Sequence, residues 1–403
     1  MSRGLTSFRA LAFFGIFLVH INVYGTGNLG INAGYLGVMA FFVLSGFLLT
    51  PILVEMKSNL NRKDFFIHFY GRRALRIFPL YYSYLVLVAS VSFLVVYHYG
   101  KNEVIPNGSF GLIPIDRFKL IDELYIFIEQ LPWTMTYTYD FYYVTYFSKL
   151  SFFATHFWSL AVEEQFYLAW PLAIFFIPNN HLKKFLLSVI AAGPFMRLLL
   201  AIILNANIFP ALPQTDLVIY ILPFSHIDAF ALGGYFALYG KSRSGYLVWV
   251  SILFVIMLGM VTSWLATRQV QWDQLGYARF MQDSYKYIWG YSIVNLIFAY
   301  VLVHIRNKTF MPALFENPLL VYLGKISYGL YVFHLPVLWL TYSMMDRFPE
   351  VVRALTTLLI TIIISMISYE FMEKRFINLK DKYFARSSAD KEPGHINAMQ
   401  RKI

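Results

Sequence analysis

Long apolar runs, broken by short charged or Pro/Gly-containing segments, repeat along the whole chain. They fall near 7–24, 32–54, 78–97, 157–177, 185–204, 217–239, 246–266, 286–304, 326–345 and 354–371. Each is long enough to cross a hydrocarbon layer of about 30 Å as a helix. A helix also satisfies its own backbone polar groups, which lipid cannot do. The pattern therefore predicts an all-α, polytopic integral membrane protein with about ten transmembrane helices.

The segments between the runs predict orientation. With the N-terminus inside, 22 of the 33 Lys and Arg residues lie in inner segments and 9 in outer ones, so the positive-inside rule predicts that both termini are cytoplasmic. No polar cleavage region follows the first apolar run, which is expected to stay as a helix and not be removed as a signal peptide. A membrane-embedded domain is expected over 1–385 and a disordered cytoplasmic tail over 386–403. Within 55–78 a basic, aromatic cytoplasmic stretch is suited to a short helix at the membrane surface. An outer loop over 98–156 carries the amphipathic DELYIFIEQL and the Tyr-rich YTYDFYYVTYF. Its Tyr137, Tyr139, Tyr142, Tyr143 and Tyr146 suit either an interfacial belt or stacking on sugar rings.

Composition narrows the function classes. Of 403 residues 58% are apolar and 14% charged, and mean hydropathy is +0.56, whereas soluble domains carry roughly a quarter charged residues. With no Cys, thiol nucleophiles, thiolate metal sites and disulfides are excluded. The net charge of +11 is explained by cytoplasmic loops before nucleic acid. The histidines and carboxylates lack HExxH-like spacing, which disfavours a metal, and no Walker loop, GxGxxG or GxSxG occurs.

Ionisable residues inside apolar runs are costly and tend to line cavities. Arg9 and His20 are eleven residues apart, only about 20° from whole helical turns and about 16 Å in rise, so they share one face of the first helix. A His there can act as a general base and the Arg can hold an anion; the alternative is a hydrogen-bonded core His and a snorkelling Arg. Arg72, Arg73 and Arg76 suit either phosphate or anionic lipid. Glu163 and Glu164 enter the fourth apolar run together, where a carboxylate must face protein or water. His226 and Asp228 fall in the sixth run, and Lys325, Tyr328, Tyr331 and His334 in or beside the ninth. Arg197 and Glu370 suit structural ion pairs.

Taken in order, these stretches resemble the acyltransferase 3 family of polytopic membrane O-acyltransferases over nearly the whole chain. The resemblance rests on Arg9 and His20, Gly37-Val-Met-Ala-Phe-Phe-Val-Leu-Ser45-Gly46-Phe, Arg72-Arg73-Ala-Leu-Arg76-Ile-Phe-Pro79, His156-Phe-Trp158-Ser159-Leu-Ala-Val-Glu163-Glu164-Gln165-Phe-Tyr167 and Ile326-Ser327-Tyr328-Gly329-Leu-Tyr331-Val-Phe-His334. It implies a ten-helix enzyme of the bacterial inner membrane that moves an acyl group, commonly acetyl, from cytoplasmic acyl-CoA to a hydroxyl of a surface or envelope carbohydrate such as O-antigen or exopolysaccharide. By that resemblance His20 is the catalytic histidine, Arg9 helps position the donor, and Arg73 and Arg76 bind coenzyme A phosphates. Glu163 or Glu164 orients the acceptor or the histidine; the catalytic set is thus His20, Glu163 and Glu164. Ser45, Tyr328 and Tyr331 are candidate oxyanion donors, and Ser45, Trp158, Tyr331 and His334 form the candidate substrate-binding set. No bound cofactor or metal is expected; partners are acyl-CoA, a carbohydrate or glycolipid acceptor, membrane lipid and glycan assembly proteins.

The chain departs from the family's patterns at His226-Ile-Asp228, where Arg-x-Asp is common, and at Glu373-Lys-Arg375-Phe376, where Glu-Lys-Pro-Phe is common. The first change bears on acceptor choice and the second is expected to alter a turn. Direct transfer and an acyl-histidine intermediate both remain open. A transporter or flippase for an anionic or glycolipid substrate is the rival reading, because intramembrane Arg, His and Glu suit it equally; a non-enzymatic scaffold is a third.

Overall fold

A computed structural model describes residues 2–24, 33–99, 117–206, 208–270 and 272–384. Every predicted apolar run is helical there. In chain order the helices are α1 (Arg3–Tyr24), α2 (Leu36–Asn59), α3 (Arg62–Tyr99), α4 (Arg117–Met135), α5 (Tyr139–Thr145), α6 (Phe157–Phe176), α7 (Asn179–Asn205) and α8 (Thr215–Ile221). There follow α9 (Ile227–Tyr239), α10 (Tyr246–Thr267), α11 (Lys286–Arg306), α12 (Pro312–Phe315), α13 (Pro318–Lys325), α14 (Ser327–Met344), α15 (Glu350–Ser368) and α16 (Lys374–Tyr383). No strand occurs among the described residues.

Seven of these helical segments are long and apolar enough to cross a membrane: those of α1, α2, α3, α7, α10, α11 and α15, the last continuing to Lys380. An eighth arises if α8 and the following Pro223–Tyr239, bent by 72° at their break, are one span. The runs at 157–177 and 326–345 form α6 and α14 but fall short of that standard. Both bury much of their surface against protein, so the polar groups they carry face neighbouring helices.

The basic stretch over 55–78, expected as a separate surface helix, runs instead into the third apolar run. Together they make the 38-residue α3, about 57 Å long and nearly twice the hydrocarbon thickness. Pro79 lies inside it without ending it. Of the segment expected as an outer loop, residues 117–156 contain α4 and α5. Tyr139, Tyr142 and Tyr143 are buried there, whereas Tyr146 is exposed, so this cluster serves mainly as core. The expected tail over 386–403 lies outside the described residues.

Glycine spacing in the α2 motif has a packing cause. A Cβ on Gly37 would stand 2.4 Å from the Ala12 carbonyl oxygen of α1, and one on Gly46 would stand 1.9 Å from the Phe230 carbonyl oxygen of α9. Two helices therefore approach α2 at backbone contact, as small residues permit in apolar surroundings. This brings α1, α2, α6 and α14 around a common polar interior. Asn317 begins the run into α14 by capping α13, its side chain accepting from the Leu319 and Leu320 amides at 2.9 and 3.3 Å, with Pro318 at the first helical position.

Candidate active site between the arginines and the histidines

His20, on α1, meets His334, on α14. His20 Nδ1 and His334 Nε2 are 2.7 Å apart and the rings stack with centroids 4.9 Å apart. His334 is buried and its Nδ1 lies 2.6 Å from the Tyr331 carbonyl oxygen, one turn back on its own helix. His156 stands edge-on to His334, with ring centroids 5.2 Å apart, and its Nε2 donates to the Val332 carbonyl at 3.1 Å. That bond fixes the proton on Nε2 and leaves Nδ1 as an acceptor, buried without a hydrogen-bond partner. The Tyr331 hydroxyl donates to the His156 carbonyl at 2.6 Å, so Ser159 must donate to Tyr331 Oη at 2.6 Å. Tyr331 therefore uses its single proton to hold α14 against the start of α6, leaving none for an oxyanion.

His20, His156, Trp158 and Tyr331 line a small cleft together with Tyr35, Tyr220 and Phe280. Trp158 packs against Tyr220 with centroids 4.9 Å apart. The cleft mixes aromatic faces with the polar groups of its histidines and tyrosines, and aromatic faces suit sugar rings.

Toward the other end of α1, Arg9 lies within electrostatic reach of Glu163, Tyr167, Arg73 and Glu373, and Arg76 within reach of Arg9, Arg73 and Glu373. All three arginines are only half-buried. Arg73 lays its guanidinium over the Tyr167 ring, 3.9 Å from the centroid, a cation–π contact that holds its plane. Arg72 turns away and donates to the Phe384 carbonyl at 2.6 Å, so the site-facing pair is Arg73 and Arg76.

Between these groups sits a relay from α2 to α6. Ser45 donates to Glu163 Oε1 at 2.5 Å, and Tyr167 therefore donates to Ser45 Oγ at 3.0 Å. Ser45 is a bridge inside the protein and not a group opening on the histidine cleft. Glu164 points elsewhere, toward Arg73, Tyr81, Tyr137 and Tyr328, and its Oε1 is buried without a hydrogen-bond partner. Tyr328 donates to the Ile77 carbonyl at 3.0 Å, which commits its proton as Tyr331's is committed. Gln165 reaches outward, bonding the Tyr137 carbonyl and Asp140 Oδ1, each at 2.9 Å. Asp140 is fully buried in α5, and burial lifts its carboxyl to about 7 against the hydrogen bond from Gln165.

Several predicted groups stand apart. Asp228 is held by Arg197 through two bonds of 3.0 and 2.9 Å, both side chains fully buried, with Ser292 bonded to the same pair. Arg197 from α7 thus supplies the guanidinium that His226 does not, and it is an ion-pair member as its sequence setting suggests. His226 bonds the Tyr220 carbonyl at 2.8 Å beneath the cleft. Lys325 is exposed at the end of α13, and Glu370 pairs with Lys374 at 2.9 Å on the surface. Among the described residues no group of His, Asp and Glu could hold a metal.

Sequence reasoning did not single out His156, Tyr167 or Glu373 as site residues. The sequence around Glu373 is expected only to alter a turn. It instead ends a π-helical turn, Tyr369–Glu373, and is buried beside Arg9 and Arg76, accepting from Ser368 at 3.2 Å. Such turns recur at functional sites, and a carboxylate closing an apolar run was the available signal.

Helix α1 carries Arg9 beside the arginines of α3 and, farther along, His20 beside His334 of α14, an arrangement suited to group transfer. The family model described as an acyltransferase domain matches residues 3–370, and the chain belongs to the acyltransferase 3 family. O-acetyltransferase OatA of Staphylococcus aureus strain NCTC 8325 is 28% identical over 382 residues, covering 92% of this chain and 56% of that protein. A provisionally named O-acetyltransferase of S. aureus strain COL is 24% identical over 401 residues, covering 93% of this chain and 57% of that protein. The chain thus spans a little over half the length of these relatives. No solved structure matches it.

Proposed function

We propose that this protein is a membrane O-acetyltransferase that takes an acetyl group from cytoplasmic acetyl-CoA and transfers it to a hydroxyl of an envelope or surface carbohydrate, such as O-antigen or exopolysaccharide. The observation that carries the reading is the placement of Arg9 and His20 on one helix, with Arg73 and Arg76 beside the first and an aromatic cleft beside the second. The choice of acetyl rests on the names of the relatives, and the choice of carbohydrate on the aromatic lining. The proposed topology is ten crossings of the bacterial inner membrane with both termini cytoplasmic, which sets the arginines inside and the cleft outside.

In this reading coenzyme A phosphates rest on Arg73 and Arg76 by charge-assisted bonds, and pantetheine extends along the stretch of about 16 Å from Arg9 to His20. Glu163, bonded to Ser45, keeps the local positive charge from trapping the donor. His20 removes the acceptor hydroxyl proton as the oxygen attacks the thioester carbonyl. The carbon–sulfur bond breaks, and the proton passes to the leaving thiolate. Glycan assembly proteins present the acceptor on the outer side.

Mass spectrometry of envelope glycans from cells making wild-type protein, no protein, or His20→Ala tests the reading. A mass increase of one acetyl group that appears only with wild type supports it. The same glycan masses in all three refute it and favour transport.

A further inference from the structure

We infer that His334 is a positioning residue that fixes the tautomer of His20, so that the base presents its Nε2 lone pair. The inference rests on the proposed acyl transfer and concerns where one proton sits. A carbonyl oxygen carries no hydrogen, so the 2.6 Å contact between His334 Nδ1 and the Tyr331 carbonyl requires the proton on Nδ1. A neutral His334 then offers Nε2 only as an acceptor. Its partner at 2.7 Å is His20 Nδ1, which must be the donor. One proton on the His20 ring is thereby assigned, and Nε2 is the basic nitrogen.

The opposite order would need an imidazolium at His334. That ring is fully buried and packs against Phe13, His156 and His20; a cation there would have only helix carbonyls and neutral rings for company, at high desolvation cost. The chain of donors therefore runs one way, from His20 through His334 into the α14 backbone. When His20 Nε2 accepts the hydroxyl proton, the ring becomes an imidazolium whose Nδ1–H is already bonded to a neutral acceptor. His334 keeps its own proton throughout, and the extra one leaves from His20 Nε2 to the thiolate. The arrangement orients the base as a carboxylate does in a hydrolase triad, without placing a negative charge in the membrane interior.

The test uses the full chain, histidine-labelled with carbon-13 and nitrogen-15 and reconstituted in lipid bilayers. Solid-state NMR reads the protonated nitrogen of His20, whose signal is identified by its loss in His20→Gln. The expected result is an Nδ1–H tautomer in wild type. It is kept in His334→Gln, whose side-chain oxygen can still accept, and lost or mixed in His334→Leu. With acetyl-CoA as donor, His334→Leu should lower kcat about 10- to 100-fold with little change in KM, and His334→Gln should recover part of that loss. An Nε2–H tautomer in wild type, or His334→Gln turning over no faster than His334→Leu, overturns the assignment. If wild type shows Nδ1–H while His20→Gln keeps full transferase activity, the proton order stands and the proposed catalytic role of His20 falls.

Discussion

Glu163 and Glu164 are consecutive, yet their carboxylates serve different surroundings. Glu163 accepts the Ser45 proton at 2.5 Å and faces Arg9, whereas Glu164 keeps a buried oxygen without a hydrogen-bond partner beside Arg73 and Tyr137. The helical turn of about 100° per residue separates them. Glu163→Gln should therefore lower acetyl-CoA turnover at least about tenfold, since an ionic bond in a hydrogen-bonded relay is worth roughly 1.5–3 kcal/mol. Glu164→Gln should cost less activity and leave thermal stability unchanged or raised, because it removes a poorly satisfied buried carboxyl. Initial rates and melting curves of the two variants check this, and the reverse order would assign the relay to the wrong residue.

Arg73 and Arg76 supply the proposed phosphate contacts. Replacing Arg76 with Gln should raise the apparent KM for acetyl-CoA about 10- to 100-fold, the worth of one or two charge-assisted bonds. The same variant should handle N,S-diacetylcysteamine, a thioester without phosphates, much as wild type does. Paired steady-state kinetics with both donors give the answer. An equal loss with each would place Arg76 elsewhere than on the phosphates.

The bidentate Arg197–Asp228 pair has no solvent to fall back on. Asp228→Ala leaves a guanidinium fully buried with a lost counter-ion and should destabilise the protein by about 3–5 kcal/mol. Replacing both residues with apolar ones of similar volume should restore most of that loss. Denaturation of the single and double variants in detergent distinguishes the two, and a harmless single substitution would show the pair to be dispensable.

Asp140 makes stability depend on pH. Burial disfavours the charge and pushes its carboxyl in the folded protein up to about 7, against an ordinary value of 3.8 when unfolded. Between about pH 4 and 7 the unfolded chain has therefore released a proton that the folded chain still holds, and stability falls as pH rises through this window. Above 7 the loss is complete and constant. Melting temperatures at pH 5 and 8 should drop more for wild type than for Asp140→Asn. Equal shifts would show that Asp140 is solvated.

Much of the architecture was legible because apolar runs of membrane length announce helices without needing tertiary context. The sharing of one face by Arg9 and His20 was likewise legible, being a property of a single helix. What escaped was set by contacts across the chain. His20 and His334 are separated by 314 positions, and no local period links them. The hydroxyls of Tyr328 and Tyr331 looked available in sequence, but both are spent on backbone carbonyls of neighbouring segments. The charges within 55–78 suggest a separate surface helix, but nothing local marks that Arg62–Tyr99 continues as one helix through Pro79.

The π turn at Tyr369–Glu373 also sets the phase of everything after it. Such a turn holds one residue more than an α turn, so winding the same residues as a regular α-helix, with none removed, would swing the following side chains by about 100°. Glu373 would leave the arginines, and α16 would present a different flank to α3. The bulge thus works as a keyway: it admits the C-terminal helix at one angular setting, which an unbroken α-helix of the same residues would miss.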